Sequence, residues 1–114
     1  MVNHMTMEAQ IKALVDKFNA KTEADENLRK EVEHLKKTVN IDLDTEKYSV
    51  KLENAKMFDF KADIIEDADV VVTSTPENFQ KLLDGDLRPM RAYLTKKITI
   101  KGKIQDLMFL KKFF

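Results

Sequence analysis

The stretch ADVVVTSTPENFQKLLDGDL, residues 68–87, contains the signals of a strand, a helix start and a helix end in immediate succession. Val70 and Val72 occupy one face of a short strand that is rich in β-branched residues. Thr75-Pro76 is a strong helix start, because Thr is a good N-cap and Pro fits the first helical position. Gly85 can adopt the left-handed conformation that ends many helices. The apolar face of the predicted helix consists of Phe79, Leu82 and Leu83.

Upstream of this stretch, apolar and polar residues alternate with a period of two, which is typical of half-buried strands. The alternation occurs in residues 39–44, 48–53 and 58–62. Short connections between these strands and the strand at residue 70 favour a four-stranded antiparallel meander. The turns at residues 44–47 and 54–56 contain no glycine, so we expect loops of about three to five residues.

Helices are predicted on both sides of these strands. Residues 6–19 and 26–37 place apolar side chains at helical spacing, and a polar stretch separates them. Beyond Gly85, a further helix presents Leu87, Met90 and Leu94, a fifth strand covers residues 97–101, and a last helix covers residues 103–112. The order predicts an α+β fold in which one sheet carries its helices on one face.

The length and composition limit the class of protein. We expect 114 residues to form a single domain, residues 1–114, with one hydrophobic core. The absence of cysteine excludes disulfides and thiolate metal ligands and fits a cytoplasmic location. No apolar run approaches the roughly 20 residues that a membrane-spanning helix needs. The first residues show no basic start followed by an apolar block, so no secretory signal is expected.

The zero net charge of the chain conceals an asymmetry. Residues 39–86 contain twelve acids and five lysines, whereas residues 87–114 contain eight bases and one acid, Asp106. Such an asymmetry favours an anionic partner near the C-terminus. The alternative is that the two regions face each other or solvent.

Catalytic and metal-binding patterns are weak. Ser49 and Ser74 do not lie in a strand–turn–helix elbow, and His34 falls on a charged helix face, so we expect no enzyme activity. The two glycines cannot form a phosphate-binding loop, and nothing indicates a cofactor. A crowded acidic loop is predicted to be solvated, with a weak cation site as the alternative. Its residues are Asp63, Glu66, Asp67 and Asp69. Because the net charge is zero, we expect no nucleic-acid partner.

The C-terminal quarter is unusually apolar for one strand and two short helices. Three explanations are open: a well-filled core, an exposed patch that meets a protein partner or a second copy, and a pocket for an apolar ligand. The methionines suit the last explanation, because unbranched thioether side chains adapt to different shapes.

Five segments in this order resemble the sterol carrier protein type 2 (SCP-2-like) lipid-binding domain. They are residues 68–79, 82–87, 90–94, 97–102 and 107–108, which include the Gly85-Asp86-Leu87 turn and the Ile98-Thr99-Ile100-Lys101-Gly102 strand. The resemblance implies a five-stranded, mostly antiparallel sheet whose helix-covered face encloses an apolar tunnel. It also implies non-catalytic binding and transfer of fatty acids, acyl-CoA, sterols or other lipids.

Carried onto this chain, the resemblance implies a tunnel lined by Val70, Val72, Phe79, Leu82, Leu83, Leu87, Met90, Leu94, Ile98, Ile100, Leu107 and Met108. Basic residues beside the tunnel would attract an anionic headgroup or an anionic membrane surface. These residues are Arg88, Arg91, Lys96, Lys97, Lys101 and Lys103. We expect a monomer or weak dimer, with a protein–protein interaction module using the apolar C-terminal face as the alternative function.

Overall fold

The computed structural model describes residues 6–103. Its elements, in chain order, are α1 (Glu8–Ala24), α2 (Glu26–Val32), β1 (Lys37–Asp42), β2 (Lys47–Glu53), β3 (Lys56–Lys61), β4 (Val70–Ser74), α3 (Pro76–Asp84), α4 (Pro89–Leu94) and β5 (Ile98–Lys101). This order confirms the α+β prediction over the described residues. The helix predicted for residues 103–112, with Leu107 and Met108, lies outside them apart from Lys103.

The five strands form one mixed sheet in the spatial order β3-β2-β1-β4-β5. Three of the four neighbouring pairs are antiparallel, but β1 and β4 run parallel. The predicted four-stranded meander is therefore wrong, because β4 pairs with β1 instead of with β3. Residues 62–69 carry the chain across the sheet, and about 26 Å of extended chain easily exceeds the roughly 14 Å that three strand spacings require.

Two polar contacts hold this crossover on the sheet. The side chain of Asn40 in β1 accepts a hydrogen bond from the Ile65 N–H and donates one to the Ile65 carbonyl, both at 2.8 Å. Asp69 accepts from the Thr38 N–H at 2.9 Å, and its own N–H donates to the Thr38 hydroxyl at 2.9 Å. All four acids of this loop are exposed, as predicted for a solvated loop, and Asp69 also makes structural hydrogen bonds to Thr38.

The opposite face of the sheet forms the hydrophobic core. The strand register aligns Tyr48 with Ile41 and Ile41 with Val72, so their side chains share one face of the sheet. Apolar residues of α1 and α3 join the same buried cluster, which places these helices over that face. They are Ile11, Val15, Phe18, Phe79 and Leu82.

The helix boundaries differ from the predicted ones in two places. Helix α1 continues to Ala24 through the polar stretch that was expected to end it at residue 19. Thr22 makes this possible, because its side chain is buried and its hydroxyl donates to the Asn19 carbonyl at 3.1 Å. Asp25 then caps α2 by accepting from the Leu28 N–H, and α2 ends at Val32 instead of residue 37.

The two hairpin turns differ in length and in backbone conformation. Four residues connect β1 to β2, as predicted, and Asp44 takes a left-handed φ of 69° there. Only Asn54 and Ala55 connect β2 to β3, so the longer loop predicted at that turn is wrong. Their φ angles of 55° and 60° are the positive values that a type I′ turn requires, and Asn tolerates this region better than most residues.

The predicted start and end of α3 are confirmed. The Thr75 hydroxyl accepts from the Asn78 N–H at 3.2 Å, and Pro76 occupies the first turn. Gly85 ends the helix with a φ of 80°, where no side chain would find a conformation free of strain. This pair of signals fixes the position of α3 directly after β4.

Candidate functional site

The apolar side chains expected to line a tunnel fall mainly into one cluster on the core face. Val72 of β4 is aligned with Ile100 of β5, and Ser74 is aligned with Ile98, so these two strands present their apolar residues side by side. Helix α3 is separated from the end of β4 by one residue, and its apolar residues belong to the same cluster as those of β4 and β5. The cluster contains the buried residues Val70, Val72, Phe79, Leu82, Leu87 and Ile98 together with the partly buried Leu83 and Ile100.

Helix α4 departs from this pattern. Ala92 is fully buried, whereas Met90 is 39% exposed and Leu94 is 73% exposed. Residues two apart on a helix differ in direction by about 200°, so Met90 and Leu94 lie on the side of α4 that is opposite to Ala92. The structure therefore does not bring these two expected lining residues together with the cluster.

The short connection to β5 explains why the smallest residue faces inward. Three residues, Thr95 to Lys97, separate α4 from β5, and the Lys97 N–H donates to the Ala92 carbonyl at 2.8 Å. This tight reversal brings the helix backbone close to the strand. Ala92, whose side chain is a single methyl group, occupies this close approach and is fully buried.

The basic residues cluster around α4 and β5. Arg88 is the N-cap residue of α4, Arg91 lies within the helix, and Lys96 follows it with a left-handed φ of 61°. All six are exposed, namely Arg88, Arg91, Lys96, Lys97, Lys101 and Lys103. The sequence from residue 87 to residue 103 contains no Asp or Glu. These cations thus lie on α4, on β5 and on the residues that flank them, and their contact with an anionic headgroup or membrane stays a prediction.

A second polar centre lies near the other end of the sheet. Glu46 accepts hydrogen bonds from the Tyr48 hydroxyl at 2.6 Å and from the Met7 N–H at 2.7 Å. Tyr48 also stacks on Phe60, with ring centroids 5.6 Å apart. Burial, with the hydrogen bond to Glu46 as the second cause, raises the pKa of Tyr48 to about 12. This centre ties the start of α1 to the β1–β2 hairpin.

The residues considered for enzyme or metal chemistry do not converge. The Ser74 hydroxyl donates to the Lys97 carbonyl at 3.1 Å, which makes it a link between β4 and the start of β5. Ser49 is buried on the crossover face of β2, and His34 is exposed after α2. Within residues 6–103, no group of three acidic or histidine side chains is arranged to hold a metal ion.

The family of the chain follows from its sequence as a whole. Residues 11–114 match the model of the SCP-2 sterol transfer family. The chain belongs to this family, and the resemblance predicted from residues 68–108 is confirmed. Family membership supports lipid binding or transfer in general terms. No curated protein matches the sequence.

Solved structures support the same fold at low sequence identity. Sterol carrier protein 2 from Yarrowia lipolytica, in its apo form, has a TM-score of 0.64 and 19% identity, with 99% of this chain and 92% of that chain covered. The NMR structure of palmitated SCP2L2 from Aedes aegypti has a TM-score of 0.62 and 18% identity, covering 90% and 91% of the two chains. These likenesses confirm the predicted fold class.

One structural relative is an enzyme. The sec-alkylsulfatase Pisa1 from Pseudomonas sp. has a TM-score of 0.56 and 17% identity, with 68% of this chain covered. The chain spans only 12% of the length of that enzyme. The likeness therefore concerns one part of a larger protein and shows the fold alone. Among the helices of residues 6–103, none has the length and apolar character needed to cross a bilayer.

Proposed function

We propose that this chain, as a single domain of residues 1–114, binds one hydrophobic ligand in an internal apolar tunnel and carries it without catalysis. The ligand is a fatty acid, an acyl-CoA, a sterol-like molecule or another lipid. The observation that carries the proposal is the apolar cluster of β4, β5 and α3 on the core face of a sheet with the family's topology. The proposed location is cytoplasmic, and the proposed state is a monomer or weak dimer without a nucleic-acid partner.

The ligand would lie between the core face of β4 and β5 and the helices that cover it. Leu83 and Ile100 are only partly buried, so they mark where the cluster reaches the molecular surface, whereas Val70 and Phe79 are fully buried. The proposed lining is Val70, Val72, Phe79, Leu82, Leu83, Leu87, Ile98 and Ile100. The other two lining residues of the proposal, Leu107 and Met108, lie outside the described residues.

The free energy of such binding is adequate. Burial of each methylene of an acyl chain gains about 0.8 kcal/mol, so a chain of about 14 methylenes gains roughly 11 kcal/mol before the costs of association are subtracted. Association costs about 4–15 kcal/mol, so an affinity in the micromolar range needs no polar anchor only when that cost lies near 4 kcal/mol, and a larger cost requires an additional contact. The exposed cations around α4 offer an additional contact for an anionic headgroup or an anionic membrane surface.

A second candidate function is a protein–protein interaction module. The exposure of Met90, Tyr93 and Leu94 on one short helix favours it, because an apolar surface can bind a protein partner or a second copy. This alternative predicts a chain that dimerises or binds a protein and ignores added lipid.

Native mass spectrometry of the freshly purified chain, followed by organic extraction, tests the proposal. We expect a mass increase that corresponds to one lipid per chain, or saturable binding of added fatty acid or acyl-CoA. A ligand-free dimer that binds neither compound would favour the interaction module.

A pair of tryptophan substitutions tests the position of the tunnel. Ile100→Trp adds bulk beside Val72, where the ligand is proposed to lie, and should reduce fatty-acid binding at least about tenfold, with a cost of about 1–3 kcal/mol in stability from overpacking. Leu35→Trp is the control, because Leu35 is also partly buried against the core but precedes β1. Equal loss of binding in both variants would contradict the proposed position.

A further inference from the structure

The outward side of α4 combines apolar and cationic groups in a defined arrangement. Met90 and Leu94 are four residues apart, so they form one apolar ridge on the helix. Arg91 and Tyr93 flank this ridge, each about 100° away from the direction of Ala92. Ala92 is buried against the core, so the ridge points away from the rest of the described molecule.

We propose that the Met90–Leu94 ridge of α4 inserts into the surface of an anionic lipid bilayer while the surrounding cations contact its headgroups. This inference deepens the proposed function, on which it rests, by assigning two residues of the expected tunnel lining to the docking surface. The tunnel would hold the ligand, and the ridge would bring the tunnel to the membrane from which a ligand is taken.

Charge complementarity supports an anionic bilayer as the occupant. The segment from residue 87 to residue 103 carries six bases and no acid. Within residues 6–103, the ion pairs of the structure do not involve Arg88, Arg91 or Lys96, so these charges are available to headgroups. The anionic leaflet of a bilayer attracts basic side chains that lie within about one Debye length of its surface.

The dimensions favour a bilayer over a protein partner. Six residues give α4 a length of about 9 Å. A stable protein interface needs about 800 Å² from each partner, which is far more than this ridge offers. A membrane interface accepts a small apolar tip, with tyrosine and basic side chains at headgroup depth, because these side chains keep their polar ends in water.

Cysteine labelling provides a direct test, because the natural chain contains no cysteine. Leu94→Cys is labelled with an environment-sensitive fluorophore and mixed with vesicles of phosphatidylcholine that contain phosphatidylserine. We expect a blue shift that disappears when pure phosphatidylcholine vesicles are used. The matched control is Ile64→Cys, since Ile64 is 50% exposed on the crossover at the other face of the sheet and should show no shift. An equal shift at both positions, or no shift at position 94, would overturn the proposal.

Substitutions separate the apolar and charged contributions. Leu94→Asp should lower partitioning onto the phosphatidylserine vesicles at least about tenfold, whereas Ile64→Asp should leave it unchanged. Arg88→Glu with Arg91→Glu should lower it by about 25-fold or more, since each lost base contributes about fivefold. The control double variant, Lys17→Glu with Lys36→Glu, changes the net charge equally at exposed positions away from α4 and should have a much smaller effect. Equal effects of the two double variants would contradict a specific docking surface.

A ligand-binding assay without vesicles distinguishes this inference from the proposed function. Leu94→Asp should bind a fluorescent fatty acid with wild-type affinity while it fails to bind vesicles. If the wild-type chain binds the fatty acid but ignores anionic vesicles, the docking inference fails and the carrier proposal stands. If the chain binds anionic vesicles through position 94 but no fatty acid, the carrier proposal fails and the docking surface remains.

Discussion

The two ends of the sheet are held by different kinds of contact. At the β3 end, side chains tie α1 to the hairpin: the Asn19 amide donates to the Met57 carbonyl at 2.9 Å and accepts from the Met57 N–H at 2.8 Å. At the β5 end, α4 is joined mainly through backbone hydrogen bonds and the small contact of Ala92. The difference indicates that the β3 end supplies stability and that the β5 end leaves large apolar side chains exposed.

The largest expected effect comes from truncating an apolar side chain at each end. Phe18→Ala removes a buried aromatic ring from α1 and should lower the free energy of unfolding by about 3–5 kcal/mol. Leu94→Ala removes a side chain that is mostly exposed and should change it by less than about 0.5 kcal/mol. Urea unfolding of both variants measures the contrast. Similar losses in the two variants would show that α4 is as firmly packed as α1.

Two asparagine substitutions, one at each end of the sheet, should show a smaller difference in the free energy of unfolding. Asn19→Ala leaves the N–H and carbonyl of Met57 without their side-chain partner and should lower the unfolding free energy by about 2 kcal/mol. Asn78→Ala loses only a 3.5 Å contact between its amide and the Lys97 carbonyl, so the expected loss is below about 0.5 kcal/mol. Thermal or urea unfolding distinguishes these values. A large loss at Asn78 would mean that the β5 end depends on side-chain hydrogen bonds beyond the one from the Ser74 hydroxyl to the Lys97 carbonyl.

The sequence predicted which helices and strands form better than it predicted which strands lie side by side in the sheet. Alternation in β1 and β2, and the Thr75-Pro76 start of α3, depend on local chemistry and could be recognised in one sequence. The parallel pairing of β4 with β1 depends on the crossover, because alternation shows which face a residue occupies but not which strand lies beside it. In the alternating pattern, Asn40 looks like any other polar position, so the sequence alone does not show that its side chain fixes the crossover.

The candidate site was predictable to a similar extent. The apolar residues of β4, β5 and α3 could be assigned to one face from their spacing and from the family resemblance. The direction in which α4 faces could not be predicted. Met90 and Leu94 are more hydrophobic than Ala92, so a prediction from hydrophobicity places them on the buried side of the helix. The tight connection to β5 brings the α4 backbone close to the strand, and Ala92 is the residue that faces it.

The smallest expected effect is a difference in alkaline stability between the two ends. The pKa of Tyr48 is raised to about 12, mainly by burial and next by its hydrogen bond to Glu46. A pKa that is higher in the folded state contributes stability below the unfolded value of about 10, and this contribution is lost as the pH rises towards 12. Between pH 9 and pH 11 the loss due to Tyr48 should be about 1 kcal/mol.

Matched Tyr→Phe variants isolate this contribution from the titration of the lysines. Tyr48→Phe should lose less stability than the wild type between pH 9 and pH 11, by about 1 kcal/mol, because the group that must ionise is absent. Tyr93→Phe makes the same chemical change at the exposed surface of α4 and serves as the control. Urea unfolding at both pH values measures the two differences. If Tyr93→Phe flattened the alkaline loss and Tyr48→Phe did not, the buried polar centre would lie at the β5 end, and the assignment of stability to the β3 end would be wrong.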